Sequence, residues 1–290
     1  MKIFQEKFNS FGHEIEVKST DSGKENWMFL LHGFNDSKET FLFLEDSLLS
    51  KFNLLSFDFR GHGNSDWSRD GIYHYAEHFL DIHNIARQFL PEKFFMLAHS
   101  MGASLASRYT GMYPDSVKGL ICLEGFSGLQ PPEREIDRIK GWLNSQVAKG
   151  QKSTAPRRPM KREEALQKLS LIYSGLPKEK VELLLEPLVR KTVENKYVWK
   201  NDPSLRTSSN PIPFSPFLSR ALWSKILCPV LILYGKKSHL WPENLEEVLS
   251  HFKNREFHIL ENSGHNMHHD EPEKTLEHIF EFLKKNSLVE

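Results

Sequence analysis

The sequence predicts an α/β fold, with a mostly parallel central sheet flanked by helices and a helical cap inserted between two core strands. Three observations carry that prediction. Continuous apolar runs at residues 27–31, 54–57, 94–97, 120–123 and 229–234 alternate with segments of helical spacing, as strands buried on both faces would. One run ends in Ala98-His99-Ser100-Met101-Gly102, a small-X-Ser-X-Gly turn with a helical pattern directly behind it. From about residue 129 to 215 the alternation gives way to helical spacing alone.

Taken in order, residues 2–8 and 13–18 alternate in polarity around Asn9-Ser10-Phe11-Gly12, which predicts an antiparallel hairpin opening the sheet. The run at 27–31 then empties into His32-Gly33-Phe34-Asn35-Asp36. Gly33 permits close backbone approach there, so the N–H of Phe34 can face the space above the strand ends. A helix is expected over 38–49, a strand at 54–57, and then the loop Asp58–Asp66, in which Asp58 and Arg60 could pair. A polar helix over 72–90 stops at Pro91. The run at 94–97 leads to Ser100, and 117–123 forms the next strand.

In the inserted region, 133–147, 161–173 and 178–193 read as helices, and 201–216, rich in Pro and Ser, reads as the return linker. Lys152, Arg157, Arg158, Lys161 and Arg162 form a basic cluster, which reads first as a solvated loop and second as a contact for an anionic substrate tail. The core resumes with a strand at 229–234, a helix over 242–251, a strand at 257–260, the loop Ser263-Gly264-His265-Asn266, and a closing helix over 272–284. The organisation is therefore a core over 1–128, a helical cap over 129–215, and a second part of the core over 216–290 that carries His265.

Bulk composition narrows the function classes. Lys plus Arg and Asp plus Glu both number 38, which gives no net field for nucleic acid or an anionic membrane. Cys122 and Cys228 fall in or beside apolar runs and read as core residues of a reducing compartment. The N-terminal residues are charged and lack an apolar h-region, and no apolar run reaches membrane-spanning length, so a cytoplasmic location without membrane insertion is expected.

A serine nucleophile needs a base within hydrogen-bond reach. His265, on a glycine-containing loop after the last strand, lies at the same carboxyl edge of the sheet as Ser100. His99 adjoins Ser100 and reads as a pocket-lining or buttressing residue. The N–H groups of Phe34 and Met101 are the candidate oxyanion donors. His268 and His269 read as helix-entry residues, and no cluster has metal-ligand spacing, so neither metal nor cofactor is expected.

The order His32-Gly33-Phe34, Asp58–Ser65, Ala98–Gly102 and Ser263-Gly264-His265 resembles the α/β-hydrolase fold superfamily over nearly the whole chain. A closer resemblance is to its serine hydrolase-like subgroup, carried by Leu123-Glu124-Gly125-Phe126, Arg157-Arg158-Pro159 and the run Tyr197–Pro203. The resemblance implies a nucleophile–acid–base order along the chain. The acid of that pattern commonly follows the strand at 230–234, where this chain has Ser238, and no Asp occurs between Asp202 and Asp270. Glu124, at the end of the preceding strand, is then the expected acid and Glu243 the alternative. The resulting expectation is a carboxylesterase-like serine hydrolase acting on a small-to-medium apolar ester or thioester through Ser100, His265 and Glu124. His99, Phe126 and Trp241 would line the substrate site, with Trp223, Trp142, Tyr173 and Phe214 as further aromatic walls. A ligand-sensing homologue with little turnover, or a C–C hydrolase, lyase or perhydrolase using the same site, stay open.

Overall fold

The computed structural model describes residues 1–126, 132–151, 158–205 and 214–289. Strands β1 (Lys2–Ser10) and β2 (His13–Asp21) form the opening hairpin, longer than the sequence suggests, about a turn at Phe11 and Gly12. Strands β3 (Trp27–Leu31), β4 (Asn53–Phe57), β5 (Phe94–His99) and β6 (Val117–Leu123) follow, each at an apolar run. Later come β7 (Val189–Lys191) and β8 (Tyr197–Trp199), a separate two-stranded hairpin, and then β9 (Val230–Gly235) and β10 (Arg255–Leu260). The main sheet has the order β1-β2-β4-β3-β5-β6-β9-β10. It is antiparallel only where β2 meets β1 and β4, and parallel from β4 to β10.

Alternation along each central strand divides the core between two faces. Phe94, Met96 and Ala98 of β5 join Phe29, Leu31, Ile232 and Tyr234 in one apolar cluster. Phe95 and Leu97 join Met28, Leu30, Leu231 and Leu233 in the other. Helices α1 (Glu45–Leu49), α2 (Tyr75–Phe89) and α3 (Met101–Met112) lie between the early strands, and α4 (Pro132–Gln151), α5 (Arg162–Ile172), α6 (Lys178–Leu183) and α7 (Leu185–Leu188) between β6 and β7. After β8 come α8 (Pro216–Trp223), α9 (Leu245–Ser250), α10 (Met267–Asp270) and α11 (Pro272–Lys285). Cys122 and Cys228 are buried free thiols. No helix among the described residues is long and apolar enough to cross a membrane.

Several local expectations give way. The segment 38–49 is a 3-10 turn over Lys38–Phe41 followed by the short α1, because Lys38 Nζ and its backbone N–H are drawn to Asp58. Arg60 does not pair with Asp58. Its Nε and Nη2 donate to the buried carboxylate of Asp81 at 2.7 and 2.8 Å, and Nη1 donates to Glu77. Residues 178–193 hold two short helices, and the chain extends from Val189 because that stretch pairs with Tyr197–Trp199.

The elements between β6 and β9 build a third apolar cluster from Met160, Ala165, Leu169, Tyr173, Val181, Leu184, Leu185, Leu188 and Val189. This cluster is tied to the sheet loops. Tyr73 donates its phenolic proton to Asp202 at 2.5 Å, the N–H of Asp202 donates to the Gly61 carbonyl, and the Trp67 indole donates to the Lys200 carbonyl. Of the expected basic cluster, Lys152 and Arg157 lie outside the described residues, as does much of the return linker. Arg158 is exposed beside Glu164, and Arg162 faces Glu182.

Candidate active site

Ser100 sits between β5 and α3 with φ 52° and ψ −118°, a left-handed region that costs a non-glycine residue of order 1–3 kcal/mol. Close packing imposes it: a Cβ on Gly102 would run into the carbonyl oxygens of Leu31 and His32, so only glycine lets α3 start against β3. The hydroxyl of Ser100 donates to Nε2 of His265 at 2.9 Å, and Nδ1–H of His265 donates to Oε2 of Glu124 at 2.6 Å. A carboxylate only accepts, so this pairing assigns the proton to Nδ1 and leaves Nε2 as the acceptor that faces Ser100.

Glu124 is fully buried at the end of β6, also with a positive φ of 58°. Besides His265, it accepts from the N–H of Gly235 at Oε1 (3.0 Å) and from the hydroxyl of Ser238 at Oε2 (2.8 Å). Glu243 is exposed, whereas the Nδ1 of His265 is engaged by Glu124. The ring of His265 is further flanked by His99 and His239.

The strand-exit loop lies directly against Ser100. A Cβ built on Gly33 would fall 2.7 Å from Nδ1 of His99 and 3.2 Å from Cβ of Ser100, so the glycine brings the backbone of Gly33-Phe34 over Ser100. Met101 opens α3, so its N–H has no carbonyl one turn earlier in the helix to receive it. The Phe34 ring is 39% exposed and meets His62 edge-on.

Behind this loop is a group of buried polar side chains that sequence patterning did not assemble. Thr40 donates to Asp36 Oδ2 at 2.7 Å, and its hydroxyl faces Nε2 of both His268 and His269. His99 donates Nε2–H to the carbonyl of His265 at 3.0 Å, which holds the backbone of that residue. His32 accepts from the N–H of Phe59 and donates to the carbonyl of Gly33. Burial pushes His32, His62 and His78 down to about 3 and His269 to about 4, and holds His99 and His268 well below the usual imidazole range. The buried carboxyl of Asp36 is pushed up to about 6. Among the described residues, Asp36, His99 and His268 bring ligand-type atoms within 4.8 Å of one another and are the ones that could hold a cation. In the structure Asp36 and His268 meet through the Thr40 hydroxyl, and His99 is bonded to the base loop. The sequence signal for this network was only the His268-His269 pair and an Asp four residues before a Thr.

The expected substrate wall is largely redistributed. Phe126 and Trp223 are core residues, packed on each other and on Phe252. Their place in the substrate wall is therefore withdrawn: an aromatic after a central strand is spent on the interior. Trp241 donates its indole N–H to the Gly235 carbonyl at 2.9 Å and packs on Tyr234, so it pins the turn that feeds Glu124. His99 is 2% exposed and serves as a buttress. Tyr173 is buried against His269, and Phe214 lies on Tyr75 and under the guanidinium of Arg108. Trp142 is half-buried on α4.

Comparisons with known proteins agree with this architecture. A family model described as alpha/beta hydrolase fold matches residues 26–272. A serine hydrolase-like protein of Dictyostelium discoideum is 24% identical over 278 residues, covering 88% of this chain and 74% of its own. Monoacylglycerol lipase ABHD6 of Homo sapiens is 26% identical over 265 residues, again covering 88% of this chain and 74% of its own. Among solved structures, a thioesterase domain from the curacin biosynthetic pathway superposes with a TM-score of 0.80 at 19% identity. That match covers 96% of this chain and all of the domain, a likeness of fold.

Proposed function

The chain belongs to the α/β-hydrolase fold family, and from that premise we propose that it is a serine hydrolase of carboxylic esters working through an acyl-enzyme. The observation that carries the reading is the unbroken relay from Ser100 through His265 to Glu124, with its 2.9 and 2.6 Å hydrogen bonds. In the proposed reaction His265 Nε2 takes the Ser100 proton as Oγ attacks the substrate carbonyl. The imidazolium so formed is stabilised and held in orientation by Glu124. The developing oxyanion is met by the N–H groups of Phe34 and Met101. The tetrahedral intermediate collapses, His265 protonates the departing alcohol, and the acyl group remains on Ser100. Water then gives a proton to His265 and attacks the acyl carbonyl, and as this second intermediate collapses His265 returns the proton to Ser100 Oγ, releasing the acid and the free enzyme.

A small-to-medium apolar ester is the substrate class proposed, with a thioester open to the same chemistry; relatives bearing lipase names support the ester. The intact Glu124–His265 pairing weighs against a sensing homologue with little turnover. The test is labelling by a fluorophosphonate, together with hydrolysis of p-nitrophenyl esters. Labelling is expected in the wild type, lost in Ser100→Ala, and strongly slowed in His265→Ala and Glu124→Gln. A wild-type protein that neither labels nor hydrolyses the esters would sink the reading.

A further inference from the structure

The turn after β9 does more than close the sheet. It holds the buried carboxylate of Glu124 from both oxygens, with Gly235 N–H on Oε1 and the Ser238 hydroxyl on Oε2. Oε2 is also the oxygen that receives Nδ1–H of His265. The direction of the serine proton is fixed by a further bond. The N–H of Leu240 donates to Ser238 Oγ at 3.2 Å, occupying the oxygen as an acceptor and leaving the O–H for Glu124. The turn is itself braced, by Ser238 N–H to the Gly235 carbonyl at 3.0 Å and by the Trp241 indole to the same carbonyl. Ser238 is partly buried, whereas Lys237 and His239 on either side of it are exposed.

Resting on the Ser100–His265–Glu124 reading, we infer that Ser238 is a positioning residue for the base. The serine donates to the oxygen that orients His265, so it draws negative charge away from the side of the carboxylate that faces the imidazolium. It also fixes the rotation of the carboxylate, and through it the tautomer and the plane of His265. Ser238 Oγ lies 2.8 Å from an oxygen that is itself 2.6 Å from Nδ1.

The experiment compares kcat, KM and the pH profile of kcat/KM for p-nitrophenyl butyrate in the wild type, Ser238→Ala, Ser238→Thr and Glu124→Gln. Ser238→Ala is expected to lower kcat about threefold to tenfold with KM nearly unchanged, because the lost contact orients the base and touches no substrate. Its acid limb moves to higher pH, since a carboxylate short of one donor holds the imidazolium more tightly. Ser238→Thr keeps the hydroxyl and the wild-type profile. Loss of activity in Ser100→Ala and Glu124→Gln tests the relay itself and is scored separately. With those losses in hand, the inference is overturned if the Ser238→Ala profile superimposes on the wild type, or if Ser238→Thr loses as much as Ser238→Ala.

Discussion

Mild acid is expected to unfold this protein over a narrow range, because its interior is stocked with neutral imidazoles. Burial holds His32, His62 and His78 at about 3 and His269 at about 4, against about 6.5 in an unfolded chain. Above that value each ring is neutral in both states and adds no pH dependence. Below it the unfolded chain takes up a proton at each ring and the folded chain does not, so stability is lost as pH falls from about 6.5 towards about 4. Near pH 5.5 an unfolded histidine is about nine-tenths protonated, and four of them set a slope of about 5 kcal/mol per pH unit. Asp36 opposes this. Its buried carboxyl is raised to about 6, so the folded state binds that proton before the unfolded chain does. It subtracts about 1 kcal/mol per unit in the same window. The remaining slope of about 4 kcal/mol per unit would exhaust a domain stability of about 5–15 kcal/mol within a few units of acidification. Urea denaturation followed by tryptophan fluorescence, in steps from about pH 7.5 to about pH 4.5, measures it directly. His78→Gln should flatten the slope by about 1 kcal/mol per unit. A stability that stays level or rises as pH falls from about 6.5 to about 5 would refute the burial argument.

Other perturbations test the scaffold and the insertion. Asp81→Asn strips the buried guanidinium of Arg60 of its charged partner and should cost about 3–5 kcal/mol in the same denaturation assay; a cost under about 1 kcal/mol would mean Glu77 carries the pair. Gly102→Ala drives a methyl into the carbonyls of Leu31 and His32, so melting temperature and fluorophosphonate labelling should fall together, and unchanged labelling would contradict the packing account. Tyr73→Phe removes the hydroxyl from Asp202 and should expose the 197–205 segment to limited proteolysis, at a stability cost of about 1–3 kcal/mol. Wild-type cleavage kinetics in that variant would show the anchor to be redundant.

The parallel sheet was legible because a strand buried on both faces leaves a mark no other element leaves, as in Trp27–Leu31 and Val230–Gly235. The juxtaposition of Ser100, Glu124 and His265 was legible for a topological reason: strand ends at one edge of a parallel sheet have few other places to go. Side-chain partnerships between distant segments left no such mark. Arg60 and Asp58 are near in sequence, yet the guanidinium turns to Asp81 on α2, a choice set by where the helix packs. Helical spacing over 178–193 was real as far as Leu188, but Val189–Lys191 answers to a hairpin partner rather than to its own periodicity. Aromatic residues were the least legible: Phe126 and Trp241 look equally suited to a ligand wall, a core or a turn brace, and only the packing decides.

Ser100 and Glu124 stand at the ends of neighbouring strands. The N–H of Ser100 is bonded to the Leu123 carbonyl and that of Glu124 to the Leu233 carbonyl, so both are fixtures of one rigid sheet. The base comes from elsewhere, on a short loop held by Asp270 through the N–H of Gly264 and by His99 through the carbonyl of His265. Two corners of the triangle are thus set in the sheet, and the third depends on the contacts of a loop. Heat or mild denaturant should first loosen the loop that carries the base. Activity would then fade and return on cooling while the sheet, with its serine and its glutamate, has not begun to melt.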